Sequence, residues 1–254
     1  MQCITIKKLS GNTKNRPIII HINPLGLLRI GLNNEDRFSN LNIILNQIQS
    51  NGGNVAIPVY SYSYTKKEVY DILNTPTTLG EVGEYLRKNN KTKRTIDANF
   101  SYLLFGNDFK NRNFLVSDYS SFGEGSLIEE VFDKDGYLAV IGGVLEYLTE
   151  IHFLEKKLNI NYRFDKVFSG VTIDKSGNKI NNKMTYYCRD LDSNYSSSLA
   201  QLKKDIKLTK LIKIWKLKEF NLKIEVVKIQ ELLKFVKEKL EKDSKYLWKG
   251  DGHE

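Results

Sequence analysis

The stretch GYLAVIGGVLEYLTEIHFLE, residues 136–155, decides how the chain is read. Tyr137 through Ile141 form an uncharged apolar run of strand length, and Gly142-Gly143 end it. Leu148, Ile151 and Leu158 then fall at helical spacing. This predicts a helix with Thr149-x-x-His152-x-x-Glu155 at its start. Positions three apart adjoin on a helix, so His152 is expected to touch both Thr149 and Glu155. A strand that passes through glycine into a helix puts polar groups at the strand's carboxyl end, where open α/β sheets place their sites. An imidazole with a carboxylate partner and a nearby hydroxyl has the parts of a general-base site. An ordinary surface pair is the plain alternative for such a His and Glu. Scarcity adds weight to the catalytic reading, because the chain holds only three histidines, His21, His152 and His253. A metal site is the weaker reading. Zinc needs three or four N, S or carboxylate ligands, and Cys3 and Cys188 are isolated from each other and from any His.

Outward from that stretch, strands and helices alternate. Arg16 to Ile22 predicts a buried strand broken by Asn23-Pro24-Leu25-Gly26. Such a turn can offer backbone N–H groups to a phosphate, or it can be a plain strand-to-helix turn. Phe38 to Ser50 predicts a helix, with Leu41, Ile44, Leu45 and Ile48 on one face. Val55 to Tyr60 predicts a second strand, followed by Ser61-Tyr62-Ser63-Tyr64-Thr65. These rings and hydroxyls suit a sugar-binding wall, or equally the half-buried side of an extended loop. Thr77 is a candidate N-cap for a helix ending near Lys88, and Ser126 for one ending near Phe132. Phe109 to Ser121 reads as loop. Beyond Asn161 the pattern turns strand-rich: Val167 to Ile173, a turn at 175–178, and Lys183 to Arg189. A helix over Leu199 to Ile206, strands over Leu211 to Leu217 and Leu222 to Val227, and an amphipathic helix over Ile229 to Leu240 complete the chain.

Composition bounds the answer. With 254 residues, 41% hydrophobic and 11% aromatic, the chain can bury a sizeable core and is read as one domain over 1–254. No apolar run approaches the ~20 residues of a membrane span, and the N-terminus lacks a signal-peptide core. Two unclustered cysteines give no disulfide framework, so a cytoplasmic, reduced protein is expected, without a membrane partner. The net charge is +9, of which +6 falls in Gln201 to Glu254, where 15 Lys and no Arg stand against 9 acidic residues. These lysines alternate with apolar positions, as on a solvated face, and no nucleic-acid-binding motif accompanies them. Such a balance suits anionic ligands better than a polycation.

Gly125-Ser126-Leu127, the strand Leu138 to Gly142 and Thr149-x-x-His152-x-x-Glu155 together resemble the signature of the aminoglycoside 3-N-acetyltransferase family. Arg94-Thr95-Ile96-Asp97-Ala98-Asn99-Phe100-Ser101 and Gly106 resemble the family's Arg-Ser-x-His-Pro-x-x-Ser and later Gly, with Asp97-Ala98 in place of His-Pro. The Tyr-Ser-Tyr run at 62–64 looks closer to the branch acting in surface-sugar biosynthesis. The resemblance implies a three-layer α/β/α sandwich around a mixed central sheet, with the strand-rich, lysine-rich part at 161–254 packed on the core. It implies acetyl-CoA as cosubstrate, a primary amine of an amino sugar as acceptor, and no metal. His152 would be the general base with Glu155 orienting it, or Glu155 would itself take the amine proton; Thr149 would donate to the oxyanion or protonate the departing thiolate. The family's His-Ser-Ser-Leu loop contacts the CoA pyrophosphate. Its counterpart here lacks both serines, so that contact would rest on Asn23 and the amides of Leu25 and Gly26, with Arg94 and Ser101 further cofactor candidates; an Arg such as Arg94 serves internal structure at least as commonly as a phosphate. Tyr62, Tyr64, Asp97 and Asn99 are the substrate-binding candidates. A nucleotide-linked amino sugar ranks ahead of an aminoglycoside antibiotic as acceptor, and a non-catalytic nucleic-acid-binding module ranks last. Homo-oligomerisation stays open.

Overall fold

Ile18, Ile19 and Ile20 are each no more than 1% exposed, which a strand achieves only when both faces of its sheet are covered. A computed structural model describes residues 1–109, 119–143, 148–189, 195–197 and 199–250. In chain order the elements are β1 (Gln2–Ile4), α1 (Ile6–Thr13), β2 (Ile18–Ile22), α2 (Asn34–Ser50), β3 (Val55–Pro58), β4 (Tyr70–Asp71) and α3 (Gly80–Asn89). Then come β5 (Tyr102–Phe105), β6 (Tyr119–Ser120), α4 (Leu127–Asp133), β7 (Tyr137–Ile141), α5 (Ile151–Lys157), β8 (Arg163–Ile173) and β9 (Lys179–Arg189). The rest are β10 (Tyr195–Ser197), α6 (Ala200–Leu208), β11 (Lys213–Leu217), β12 (Leu222–Lys228), α7 (Ile229–Leu240) and β13 (Trp248–Gly250).

The central sheet has seven strands in the order β1-β11-β12-β7-β2-β3-β5. β7, β2 and β3 run parallel at its centre, and β12 and β5 flank them antiparallel, so the sheet is mixed. Side chains alternate across it. Ile18, Ile20, Val55, Ile57 and Ala139 face one core with Leu9 of α1, Leu41 and Leu45 of α2 and Val82 and Leu86 of α3. Ile19, Ala56, Leu138 and Val140 face the opposite core with Val131 of α4, Leu154 of α5, Leu202 of α6 and Val236 of α7. This is the expected three-layer α/β/α arrangement. A four-stranded sheet, β4-β8-β9-β6, and the pair β10-β13 stand apart from the central sheet.

Several expectations move at their edges. The strand expected over Val167 to Ile173 starts at Arg163, because β8 pairs with β9 through Arg163↔Arg189 down to Ile173↔Lys179. Its added residues, such as Asp165 and Lys166, are exposed and carry no apolar periodicity to reveal them. β1 is three residues long and is held by parallel pairing with β11, more than 200 residues away, so no local pattern marks it. Ser126 caps α4 as expected, accepting from Glu129 N. Thr77 does not cap α3. The helix starts at Gly80, and the Thr77 hydroxyl accepts from Leu79 N and donates to Tyr60 O. Most of the loop expected over Phe109 to Ser121 lies outside the described residues, as does His253.

Candidate active site

β2, β3 and β7 are parallel, so Ile22, Pro58 and Ile141 end at one rim of the sheet. The chain leaves β7 through Gly142, whose φ of 69° is left-handed and favours glycine. Gly142 also lies against the backbone of Gly26, and a β-carbon on either residue would collide with the other. That close approach brings the Asn23–Gly26 turn and the end of β7 together. A cavity of about 330 Å³ opens there, with His21, Asn23, Ile57, Pro58, Val82 and Val140 in its wall.

α5 begins at Ile151, and Thr149 stands just before it. The Thr149 carbonyl accepts from His152 N at 3.1 Å, so these two meet through the backbone. Glu155, one turn on, holds His152 Nδ1 at 2.7 Å through Oε2. Glu155 is fully buried, and both its oxygens are engaged. Tyr162 donates to Oε1 at 2.9 Å. Arg163 Nε lies 2.7 Å from Oε2 in a charge contact that is not aligned as a hydrogen bond. A carboxylate so enclosed orients and neutralises an imidazole, as in the acid–base dyads of hydrolases. The His152 side chain keeps 17% exposure, with its ring edge-on to Phe122 at 5.5 Å.

A second pair was not foreseen. His21, on β2, places Nε2 2.7 Å from Glu150 Oε2, across 129 residues of sequence. Alternation puts His21 on the same sheet face as Ile19, toward α5. Glu150 is 0% exposed. Tyr102 donates to its Oε1 at 2.9 Å, and the Tyr60 hydroxyl lies 3.0 Å from the same oxygen and 2.9 Å from the Tyr102 hydroxyl. Burial pushes the Glu150 carboxyl up, but the His21 charge and the hydrogen bonds outweigh it, so the group ends below the ordinary carboxylate range. Burial and the Glu150 charge hold both phenols well above their usual value, so they remain donors. In the sequence His21 was marked by the rarity of histidine and by its place at the head of the counterpart of the family's His-Ser-Ser-Leu loop, and neither signal pointed to Glu150.

Among the remaining candidates, Asn23 lines the cavity, but its Oδ1 accepts from Leu25 N at 3.0 Å, and Gly26 N donates to Asn23 O at 2.9 Å. Both amides expected to cradle phosphate are therefore already satisfied within the turn, and the Leu25 side chain points out at 69% exposure. Arg94 is 1% exposed and donates to Ser101 Oγ, Val59 O and Thr75 O. Arg94 and Ser101 thus tie the loop after β3 to β5 rather than facing a phosphate. Tyr64 corrects the sugar-wall expectation: it is buried, packs on Gly170 and bonds Thr172 Oγ1 at 2.8 Å. Asp97 accepts from Asn99 N and Phe100 N, and Asn99 Oδ1 accepts from Tyr64 N and Thr65 N, so both close turns inside the core. Tyr62 alone of these four stays partly open. Its φ is 57°, and burial pushes its phenol up to about 12. Among the described residues no group of three or more His, Cys, Asp or Glu side chains could hold a metal ion, and no helix is long and apolar enough to cross a membrane.

No curated protein matches the chain. Among solved structures, sisomicin-bound AAC-VIa is similar over 95% of this chain and 99% of its own, with a TM-score of 0.67 and 14% identity. AAC-IIIb in binary complex with CoASH gives 0.65 and 17%, over 95% and 97%. YokD of Bacillus subtilis gives 0.62 and 15%, over 96% of each chain. At such identities the likeness shows a shared fold. The family model for aminoglycoside 3-N-acetyltransferase matches residues 45–241. With so much of its length matched, and with the His152–Glu155 pair set beside the rim of a mixed sheet, the chain belongs to the aminoglycoside 3-N-acetyltransferase family.

Proposed function

We propose that the chain, acting as one domain, transfers acetyl from acetyl-CoA to a primary amine on an amino sugar. The observation that carries this reading is His152 held at 2.7 Å by a buried, neutralised Glu155. A sugar ammonium is mostly protonated at neutral pH and cannot attack a thioester. An imidazole has a suitable pKa range to remove that proton. With Nδ1 tied to Glu155, His152 offers Nε2 to the amine. The enclosure of Glu155 favours it as the orienting partner over the direct base. Thr149, half-buried and three residues before His152, carries the hydroxyl suited to donate to the oxygen that gains charge during attack. The rim cavity is walled mainly by apolar side chains, which suits the pantetheine arm of the cosubstrate.

For the acceptor, an aminoglycoside is the first reading, since the family and a sisomicin-bound neighbour are named for such substrates. A nucleotide-linked amino sugar is the second, and the charge of +9 favours it, because a basic surface attracts an anionic acceptor and repels a polycation. The test is CoA release with sisomicin-type drugs beside UDP-, dTDP- and GDP-linked amino sugars. Fast turnover of one class alone decides between them. His152→Ala is expected to lower kcat by about 10²–10⁴-fold with the thermal unfolding curve unchanged. Acetyl transfer at the wild-type rate in that variant would remove His152 from the reaction.

A further inference from the structure

Beside His152 lies a cluster of aromatic rings with no part in the proton transfer. His152 stands edge-on to Phe122 at 5.5 Å, and Phe122 touches Phe100 at 4.7 Å and Tyr186 at 6.0 Å. Phe100 in turn carries both Tyr62 and Tyr186, at 5.2 and 4.8 Å. Phe100 and Phe122 are each 1% exposed and form the floor, while Tyr62 and Tyr186 keep part of their surface open. Neighbouring tyrosines have their hydroxyls engaged: Tyr60 bonds Glu150, Tyr64 bonds Thr172 Oγ1 and Tyr187 donates to Ile160 O. The hydroxyls of Tyr62 and Tyr186 have no hydrogen-bond partner among the described residues. Burial first, then the nearby Tyr186 and Glu150, push the Tyr62 phenol up to about 12, and burial pushes the Tyr186 phenol up as well. Both therefore stand as neutral donors at working pH. Tyr62 also has a φ of 57°, a left-handed conformation that is costly for a bulky residue and recurs at ligand sites. The loop fixes it there, since Tyr62 N donates to Asn99 O and Tyr62 O accepts from Lys66 N and Thr65 Oγ1. The charges nearby do not suit a polyamine. Glu150 and Glu155, whose fields reach these two phenols, are each already held by an imidazole. Lys66 Nζ sits on Ser61 O, next to Tyr62, and adds a positive charge.

We propose that Tyr62 and Tyr186 recognise the acceptor, their two phenols hydrogen-bonding the hydroxyl groups of a sugar that carries a single amine, with that amine at His152. The inference rests on the acetyl-transfer reading and, between its two acceptor classes, selects the one without further ammonium groups. Tyr186 is one ring removed from His152 and Tyr62 two, so the sugar extends along the cluster from its amine outward. A phenol both donates and accepts, as a sugar hydroxyl does, so each pair can form in either direction. The open parts of the two rings suit the apolar face of a pyranose. Recognition of this kind needs no carboxylate, and it discriminates by hydroxyl groups rather than by charge.

The test compares kcat/KM of full-length wild type, Tyr62→Phe and Tyr186→Phe at saturating acetyl-CoA. The amines are glucosamine, free and UDP-linked, cyclohexylamine, which has an amine and no hydroxyl, and sisomicin. Phenylalanine keeps each ring and removes only an unpartnered hydroxyl, so the thermal unfolding curve is expected to stay in place. Each variant is expected to lose about 3–10-fold more on glucosamine than on cyclohexylamine, through the acceptor KM, with KM for acetyl-CoA unchanged. A structural effect of either substitution would lower both amines alike. A variant that shows equal losses on the two amines, or no loss on glucosamine, overturns the assignment of that residue. A rise confined to the acetyl-CoA KM overturns it too. Wild type that acetylates sisomicin but neither form of glucosamine overturns the inference and leaves the acetyl-transfer reading standing. Wild type that releases no CoA with any amine overturns that reading, and this inference with it.

Discussion

Glu150 and Glu155 are five residues apart, and each holds one imidazole, yet the contacts differ in kind. His152 and Glu155 are i and i+3 on one helix, so helical spacing alone brings them together. His21 and Glu150 meet only because β2 is carried to the middle of the sheet, beside β7. Arg94 shows the reverse situation. A basic side chain in a family motif suits a phosphate or an internal framework, and here it spends three donors on Val59 O, Thr75 O and Ser101 Oγ, which is the internal use. Lysine has one nitrogen and cannot reproduce this fork. Arg94→Lys is therefore expected to leave buried carbonyls without donors and to cost about 3 kcal/mol in denaturant unfolding. KM for acetyl-CoA should be unchanged in the fraction that folds. A selective rise in that KM with stability intact would return Arg94 to the cofactor site.

At the scale of elements, the site depends on how chains turn at the sheet rim. Gly142 has φ 69° and lies against Gly26, so it needs both glycine's conformational range and its missing β-carbon. Gly142→Ala is expected to lower stability by about 1–3 kcal/mol from backbone strain alone, read as a drop in Tm. Activity should fall further than stability does, because the turn at Asn23–Gly26 must shift. The glycine pair was visible in the sequence as a strand stop; the partner it packs on was not. The run after β3 teaches the same lesson. Ser61 to Thr65 shows the right residue types for a sugar wall, but the left-handed Tyr62 redirects the chain and sends Tyr64 into the β8–β9 hairpin. Asp97 and Asn99 turn inward to close the same loops. A residue's chemistry advertises a contact without saying which side of the chain will receive it.

Across the whole molecule, a charge of +9 gives a field that draws in anionic partners and is screened by salt within about 10 Å at 0.1 M. KM for acetyl-CoA is expected to rise with potassium chloride while kcat stays flat. A KM independent of salt would show that the lysines of the last fifth are only solvated surface. Two things were legible in the chain before any coordinates: the alternation of apolar strands with amphipathic helices, and the contact of His152 with Glu155. Both follow from short-range periodicity, which the backbone enforces within a few residues. Tertiary structure alone decided that His21 would find Glu150, that the cavity would open beside them, and that Arg94, Tyr64, Asp97 and Asn99 would be sealed inside. Those outcomes depend on which strands become neighbours in the sheet, and such pairings join segments tens to hundreds of residues apart, beyond the reach of any local pattern.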